Sequence, residues 1–469
     1  MSEGRLPSQA IERAERGRPD WAGPPDRAGR SGLVERAERT GRPDWAERPS
    51  RVGKPDNPGA NGHARADRDN GAAHSDRADR ADRAEEIRSQ RALQSQKMPA
   101  AERSKARELA ARFPSAYELD RNGALAIRSQ VLATNLSEQA LAAAGAAGFT
   151  VVRRTPVDEL GLSLVVLTHA DWSVAKMVQR LRRLAPDAAI EPDHVFFASG
   201  AKSRPVPARR AALRAQISRA APAPAWRLGV IDTGAAASGP AHARVVRRGF
   251  APGGFVPGDH GTAVAAIAAQ HGDGERLRRS VGTLYIADIF GGGPGGGSAE
   301  QMVRALGWMA QQKVPVTNVS MVGPYNAVVA SAVSVLARRG FLVVAPVGND
   351  GTAARPLYPA ALPKAIAVTA VDRRGVPLPE ASRVRKVDFA APGIASVVDA
   401  SGRTIEVRGT SFASPVVAHR LAELIGAPDP ARAKAAVTLL GATAWQPEPG
   451  SAGTSLGHGI VGLSPPRNR

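Results

Sequence analysis

The 469-residue chain contains no cysteine. That excludes disulfides, thiolate zinc and iron–sulfur sites and a thiol nucleophile, and it leaves the redox compartment open, because a chain without thiols survives in either. Aromatic residues make up only 4% of the sequence. With few aromatics, no recognition-helix pattern and no RNP-like run, specific nucleic-acid binding is not expected despite a formal charge of +20. Nor is that charge gathered into a tail: residues 1–100 carry 20 Lys and Arg against 17 Asp and Glu, which leaves +17 spread over the rest. A solvated basic surface accounts for it. No stretch reaches the roughly 18 apolar residues of a membrane span. The start, MSEGRLPSQAIERAERGRPDWAG, lacks the apolar core of a secretory signal, and so does the stretch after Met98. No acidic cluster suits calcium, so no metal or cofactor is expected.

What is present divides into four segments. Residues 1–97 are rich in Arg, Asp, Ala, Gly and Pro and carry a near-repeat, ERAERGRPDWA from Glu12 and ERAERTGRPDWA from Glu35. They hold too few apolar side chains to offset their ordering entropy and are expected to be disordered, with Trp21 and Trp45 read as drifted low-complexity sequence or a docking motif. Residues 98–198 open with a short helical stretch, AAERSKARELAARF. The order strand, helix, strand, strand, helix, strand follows, in ALAIRSQVLAT, SEQALAAAGAAG, FTVVRRT, LSLVVLTH, SVAKMVQRLRRLAP and AAIEPDHVFF. That βαββαβ order predicts a small ferredoxin-like α+β domain. Residues 199–225 break the pattern with Pro, Ala and Arg and read as an exposed, protease-accessible linker. In residues 226–469 the continuous apolar runs RLGVI, TLYIADI, VPVTNVS, FLVVAP and AIAVTAV alternate with helical patterns. Such runs predict parallel strands buried on both faces, hence a doubly wound α/β domain whose ligands sit outside the carboxyl ends of its strands.

Polar residues stand where that edge would place a site. Asp232 ends the first strand in LGVIDTG, His260 opens a helix in DHGTAVAAIAA, and Ser411 lies in RGTSFASPVVA, a turn running into an apolar helix. Pro415 falls in about the first turn of that helix, where a missing N–H costs little. A serine hydroxyl needs a base to take its proton, and the base needs a carboxylate to fix its tautomer; His260 and Asp232 supply those roles. Asn349, after FLVVAPVG, offers a side-chain amide that, with the Ser411 N–H, could donate to a developing oxyanion.

The blocks VIDTG, HGTAVA, VGNDG and GTSFASP together resemble the four signature blocks of the subtilisin-like serine peptidases, in that family's order Asp, His, Asn, Ser. The resemblance runs from about Ala225 to at least Ile425. It implies a serine endopeptidase acting on polypeptide through Asp232, His260 and Ser411 with Asn349 as oxyanion donor. The preceding α+β domain is similar in layout to the propeptide that assists folding and inhibits the enzyme, so the chain's own domain is an implied partner. That domain favours action outside the cytoplasm (periplasmic or secreted), whereas the missing signal argues the other way. The α/β core could instead hold a peptide strand without cutting it.

The glycine-rich stretch FGGGPGGGSAE at Phe290–Glu300 could cradle phosphate, form a flexible loop or admit another chain close to the backbone. It lacks the Gly-Lys-Ser/Thr ending of a phosphate loop. The family resemblance implies a peptide clamp, with Gly291, Gly292, Gly293, Gly295, Gly296 and Gly297 on one side and Ser320, Met321, Val322 and Gly323 on the other. An inert loop is the other reading. His242, His271, His419 and His458 lack such contexts and read as surface or satisfied histidines, Asp259 and Asp350 as neighbours that tune the site's electrostatics or are simply solvated, and VDFAAPG as structural. His419 and Arg420 stand where the family usually has small residues.

Overall fold

A computed structural model describes residues 97–199, 201–205, 225–236, 243–270, 282–351, 355–447 and 456–464. All of them lie in one compact unit, Gly71–Arg469. Trp21, Trp45, His242, His271 and most of the 199–225 segment lie outside the described residues.

The chain enters on helix α1 (Ala100–Arg112) and a short strand β1 (Tyr117–Leu119). Then come β2 (Leu125–Thr134), α2 (Glu138–Ala146), β3 (Thr150–Val157), β4 (Leu162–Thr168), α3 (Val174–Leu184) and β5 (Ala189–Ala198). The order of neighbours is β5-β2-β4-β3, every pairing antiparallel. Ser137 and Ser173 start the two helices by accepting from the N–H groups of Ala140 and Lys176, which satisfies donors that a helix start otherwise leaves unpaired. The apolar faces of both helices close on the sheet through Ala140, Ala144, Met177, Val178 and Leu181, all buried against Val131, Val165 and Ile190.

The larger region is a seven-stranded sheet in the order β15-β14-β13-β11-β7-β9-β8, parallel throughout. Its strands are β7 (Arg227–Asp232), β8 (Ala243–Gly249), β9 (Gly282–Asp288), β11 (Val316–Val319), β13 (Leu342–Pro346), β14 (Ile366–Val371) and β15 (Phe389–Pro392). The helices are α4 (Asp259–Gln270), α5 (Ala299–Gln311), α6 (Ala327–Arg338), α7 (Thr410–Ile425) and α8 (Pro430–Thr443). They cover it in two layers: α4, α7 and α8 in one buried cluster with Leu228, Val230 and Val344, and α5 and α6 in another with Ile231, Val319 and Val343. Sides alternate along each strand, so Val230 and Ile231 point to opposite cores. Edge strand β8, ARVVRRG, is half exposed and its apolar run is broken by arginines, which is why a search for continuous apolar runs passes over it.

Five further strands were not foreseen. β10 (Gly297–Ser298) and β12 (Met321–Val322) pair with β5, and β6 (Ala201–Pro205) joins the hairpin of β16 (Ile394–Val398) and β17 (Thr404–Arg408). The segment read as an exposed linker therefore begins with Ser199 only 5% exposed and with a strand directly after it.

Candidate active site

Four segments deliver polar side chains to the carboxyl edge of the parallel sheet. Asp232 ends β7 and is fully buried. His260 is the second residue of α4, which approaches the β7 edge closely because residue 261 is glycine: a Cβ there would sit 2.1 Å from the Thr233 carbonyl oxygen. The imidazole Nδ1 lies 2.8 Å from Asp232 Oδ1 and 3.0 Å from Oδ2, and Oδ1 also accepts from Thr233 N at 2.7 Å. A buried carboxylate on Nδ1 holds the ring with Nε2 as its free basic atom. His260 Nε2 and Ser411 Oγ are both buried and neither has a hydrogen-bond partner among the described residues.

Ser411 is the second residue of α7, where the helix dipole favours negative charge. Gly409, with φ of 139°, makes the turn into it. Pro415 is the sixth residue of this helix rather than a member of its first turn. Its missing N–H leaves the Ser411 carbonyl without its helical partner, and Ser320 Oγ donates to that oxygen at 3.0 Å instead. Asn318 Nδ2 in turn donates to Ser320 Oγ at 2.7 Å. Ser320 thus braces the start of α7 behind Ser411.

Asn349 follows β13. Its Oδ1 accepts from Thr410 N at 3.0 Å and from Thr410 Oγ1 at 3.2 Å, which orients the amide so that Nδ2 points into the cleft. There Nδ2 donates to the Ser199 carbonyl oxygen at 2.6 Å, with Ser199 Oγ at 3.2 Å. Thr410, which the sequence reading did not single out, is therefore part of the site; only its place between Gly409 and Ser411 could have drawn attention to it.

Ser199 reaches that point because β5 runs as a strand paired with β10 and β12. Phe196 and Val195 pair antiparallel with Gly297 and Ser298, and Ala198 and Phe197 with Met321 and Val322. Ser199 N then donates to the Ser320 carbonyl at 3.3 Å. Of the glycines singled out, Gly295, Gly296 and Gly297 approach other chain segments closely: a Cβ at Gly296 would lie 2.3 Å from the Phe196 carbonyl oxygen, and one at Gly295 would strike the Tyr117 hydroxyl. Gly291, Gly292 and Gly293 do not meet β5. They form a turn whose Gly291 N–H donates to Asp288 Oδ1 at 3.0 Å and which faces Ala251, Gly253 and Val256. On the other wall, absence of a Cβ at Gly323 makes room for the Phe196 ring.

Two carboxylates of β5 meet helix starts in the α/β region. Asp193 Oδ1 accepts from Glu300 N at the start of α5, at 2.9 Å, and Glu191 Oε1 accepts from Ala327 N at the start of α6, at 3.4 Å. Burial, then repulsion from Glu300, pushes the Asp193 carboxyl up to about 7. Arg153 closes the group with a bidentate pair on Glu300 at 2.7 and 2.5 Å. His419 is buried, with Nδ1 2.7 Å from the Ala268 carbonyl and its ring edge-on to Trp226, and fills core space that a small residue would leave empty. His458 is exposed. Asp259 accepts from Ala400 N at 3.2 Å.

A serine hydroxyl at a helix start, an imidazole fixed by a buried carboxylate and an amide donor on a carbonyl oxygen together suit acyl transfer. The model of the subtilase family matches residues 228–459, which include all four segments. Subtilisin Savinase of Lederbergia lenta is 32% identical over 209 residues, 41% of this chain and 73% of its own length. The alkaline protease of Alkalihalobacillus alcalophilus has the same identity over the same share of this chain and 52% of its own. Among solved structures, fervidolysin from Fervidobacterium pennivorans, described as a keratinolytic enzyme related to subtilisin, aligns over 74% of this chain and 62% of its own with a TM-score of 0.57 at 19% identity. At that identity the likeness concerns the fold alone. Family model, relatives and fold agree: the chain belongs to the subtilase family of subtilisin-like serine endopeptidases.

Proposed function

We propose that the chain is a self-inhibited precursor of a serine endopeptidase, with residues 98–199 as a ferredoxin-like inhibitory domain and the bond after Ser199 as its first substrate. The strand order β5-β2-β4-β3 supports the split βαβ reading of that domain. The observation that carries the proposal is the Asn349 Nδ2 to Ser199 carbonyl hydrogen bond of 2.6 Å, at the end of a strand laid between both cleft walls. Beyond it the chain continues as strand β6 on β17.

In this reading His260 Nε2 takes the Ser411 proton as Ser411 Oγ attacks the Ser199 carbonyl carbon, and Asp232 stabilises the resulting imidazolium. The oxyanion forms where Asn349 Nδ2 and the Ser411 N–H donate. Collapse breaks the C–N bond, His260 protonates the amine leaving on Gly200, and water attacking the acyl-enzyme regenerates Ser411. Other polypeptides then lie along Gly295–Gly297 and Ser320–Gly323 as β5 does. Action outside the cytoplasm belongs to this reading, because a tethered inhibitor keeps the site closed until the bond is cut.

Intact mass of the purified chain and of Ser411→Ala, each with and without a fluorophosphonate probe, tests it. Wild type is expected to yield a product beginning at Gly200 that carries one adduct on Ser411, while the variant stays full length and unlabelled. A wild-type chain that stays uncut and unlabelled, also after removal of residues 1–199, overturns the proposal in favour of a strand-binding protein.

A further inference from the structure

The βαββαβ core begins at β2, yet an additional element, α1 with Met98 before it, lies over the cleft strand. Side chains alternate along β5: Phe196 is buried in the cluster that holds Ile289 and Met321, whereas Val195 and Phe197 point the other way. Val195 and Phe197 are covered by Ala106 and Leu109 of α1, with Leu125 and Tyr117, and the Lys105 ammonium sits 4.4 Å from the centre of the Phe197 ring. Met98 is buried with Val322 and Leu357 of the α/β region. At the same contact the Glu102 carboxyl meets that of Asp350, the residue after Asn349. Glu102 Oε2 and Asp350 Oδ2 are both buried and neither has a donor among the described residues. Two acceptors facing each other out of water require a proton between them.

We propose that α1 is a proton-dependent latch that holds β5 in the cleft through Met98 and a shared-proton Glu102–Asp350 pair, and that loss of this proton frees α1 before the inhibitory domain leaves. This rests on the precursor reading above. The charged groups around the pair are few. Lys105 is on the same helix and also near Glu108. Arg103 adjoins Glu102 in sequence with its side chain along Gly123, and Arg383 adjoins Gly351 through its backbone N–H. Asp350 N donates to Ser382 Oγ. Burial, then repulsion from Asp350, raises the Glu102 carboxyl to about 7, and burial raises Asp350 as well. The docked pair therefore binds a proton that the free helix does not. The latch is at full strength below the ordinary glutamate range near 4.5 and is lost as pH rises through about 7, where two carboxylates repel.

The test is hydrogen exchange of the α1 amides in full-length Ser411→Ala, which cannot cut itself, expressed as protection factors at pH 5.5 and 8.5. In the parent, α1 protection is expected to fall by roughly tenfold or more between the two, while β2 and β4 change less. Glu102→Gln, whose amide donates to Asp350 at any pH, is expected to keep α1 protected at both, and Asp350→Asn to do the same from the other side. Asp193 titrates in a similar range on β5, so the comparison of each variant with its parent isolates the pair. Protection of α1 that is equal at the two pH values, or that falls equally in parent and variants, overturns the latch. The readout needs no cleavage. A wild-type chain that never cuts after Ser199 would therefore refute the precursor reading, while exchange in the inactive parent still decides for or against the latch.

Discussion

The two halves of the cleft complex are built on opposite plans. The α/β region gathers Asp232, His260, Asn349 and Ser411 from four separate segments, all at one edge of a parallel sheet. The α+β region concentrates its contribution in one strand, β5, which supplies two helix-capping carboxylates, a ring for the pocket beside Gly323 and the carbonyl on Asn349. The difference separates chemistry from docking. If the proposed precursor reading holds, changes in the first half should alter turnover with β5 still in place, and changes in the second should alter assembly with the chemistry intact.

The largest effect should come from Ser411→Ala, which is expected to abolish processing and peptidase turnover. For subtilisin itself, loss of the nucleophile costs about 2 × 10⁶ in turnover; a residual rate near wild type in a fluorogenic peptide assay would break the separation. Asn349→Ala should come next, lowering kcat by about 10² to 10³ with KM little changed, the size known for the corresponding subtilisin donor.

Thr410→Val keeps side-chain shape but removes the hydroxyl bond to Asn349 Oδ1 while leaving the backbone one. It is expected to reduce kcat by about tenfold, and Thr410→Ser should restore it; a change confined to KM would show that Thr410 does not act through Asn349.

The smallest effect sharpens the docking side. Asp193 holds its proton up to about 7 in the assembled chain, above its ordinary value of 3.8. The stability it contributes is complete below that ordinary value and lost as pH rises through about 7. Full-length Ser411→Ala should therefore melt lower at pH 8.5 than at 5.5, and Asp193→Asn should narrow that gap by about 2–4 °C. Calorimetry that gives the same gap for both would remove Asp193 from the pH response.

How far each part could be read from the sequence follows from the range of the interactions that make it. The helices announce themselves through Ser137 and Ser173, and the parallel strands through runs such as LGVI and FLVVAP, because caps and periodicity act within a few residues. Asp232 and His260 are 28 residues apart; the need of a serine for a base and of that base for a carboxylate suggested their pairing, and the resemblance to a known family supported it. Thr410 was marked only by its place between Gly409 and Ser411, and Ser320 only as part of the clamp that the resemblance implies; their bonds to Asn349 and to the Ser411 carbonyl join segments far apart along the chain. The glycine-rich stretch pointed to a close approach without saying where. Gly295–Gly297 make it, and Gly291–Gly293 turn toward Asp288.

The sequence by itself determined that a βαββαβ unit precedes an α/β unit, that thiol chemistry is absent, and which polar residues end or open the elements of the larger sheet. Tertiary structure alone decided that β5 lies in the cleft, that the Ser199 carbonyl meets Asn349, that the supposed linker starts as strand β6, and that Glu102 faces Asp350. The reason is physical: secondary structure answers to neighbours a few residues away, whereas a strand added between two walls and a proton shared by two buried carboxyls exist only once segments roughly a hundred residues or more apart have packed together.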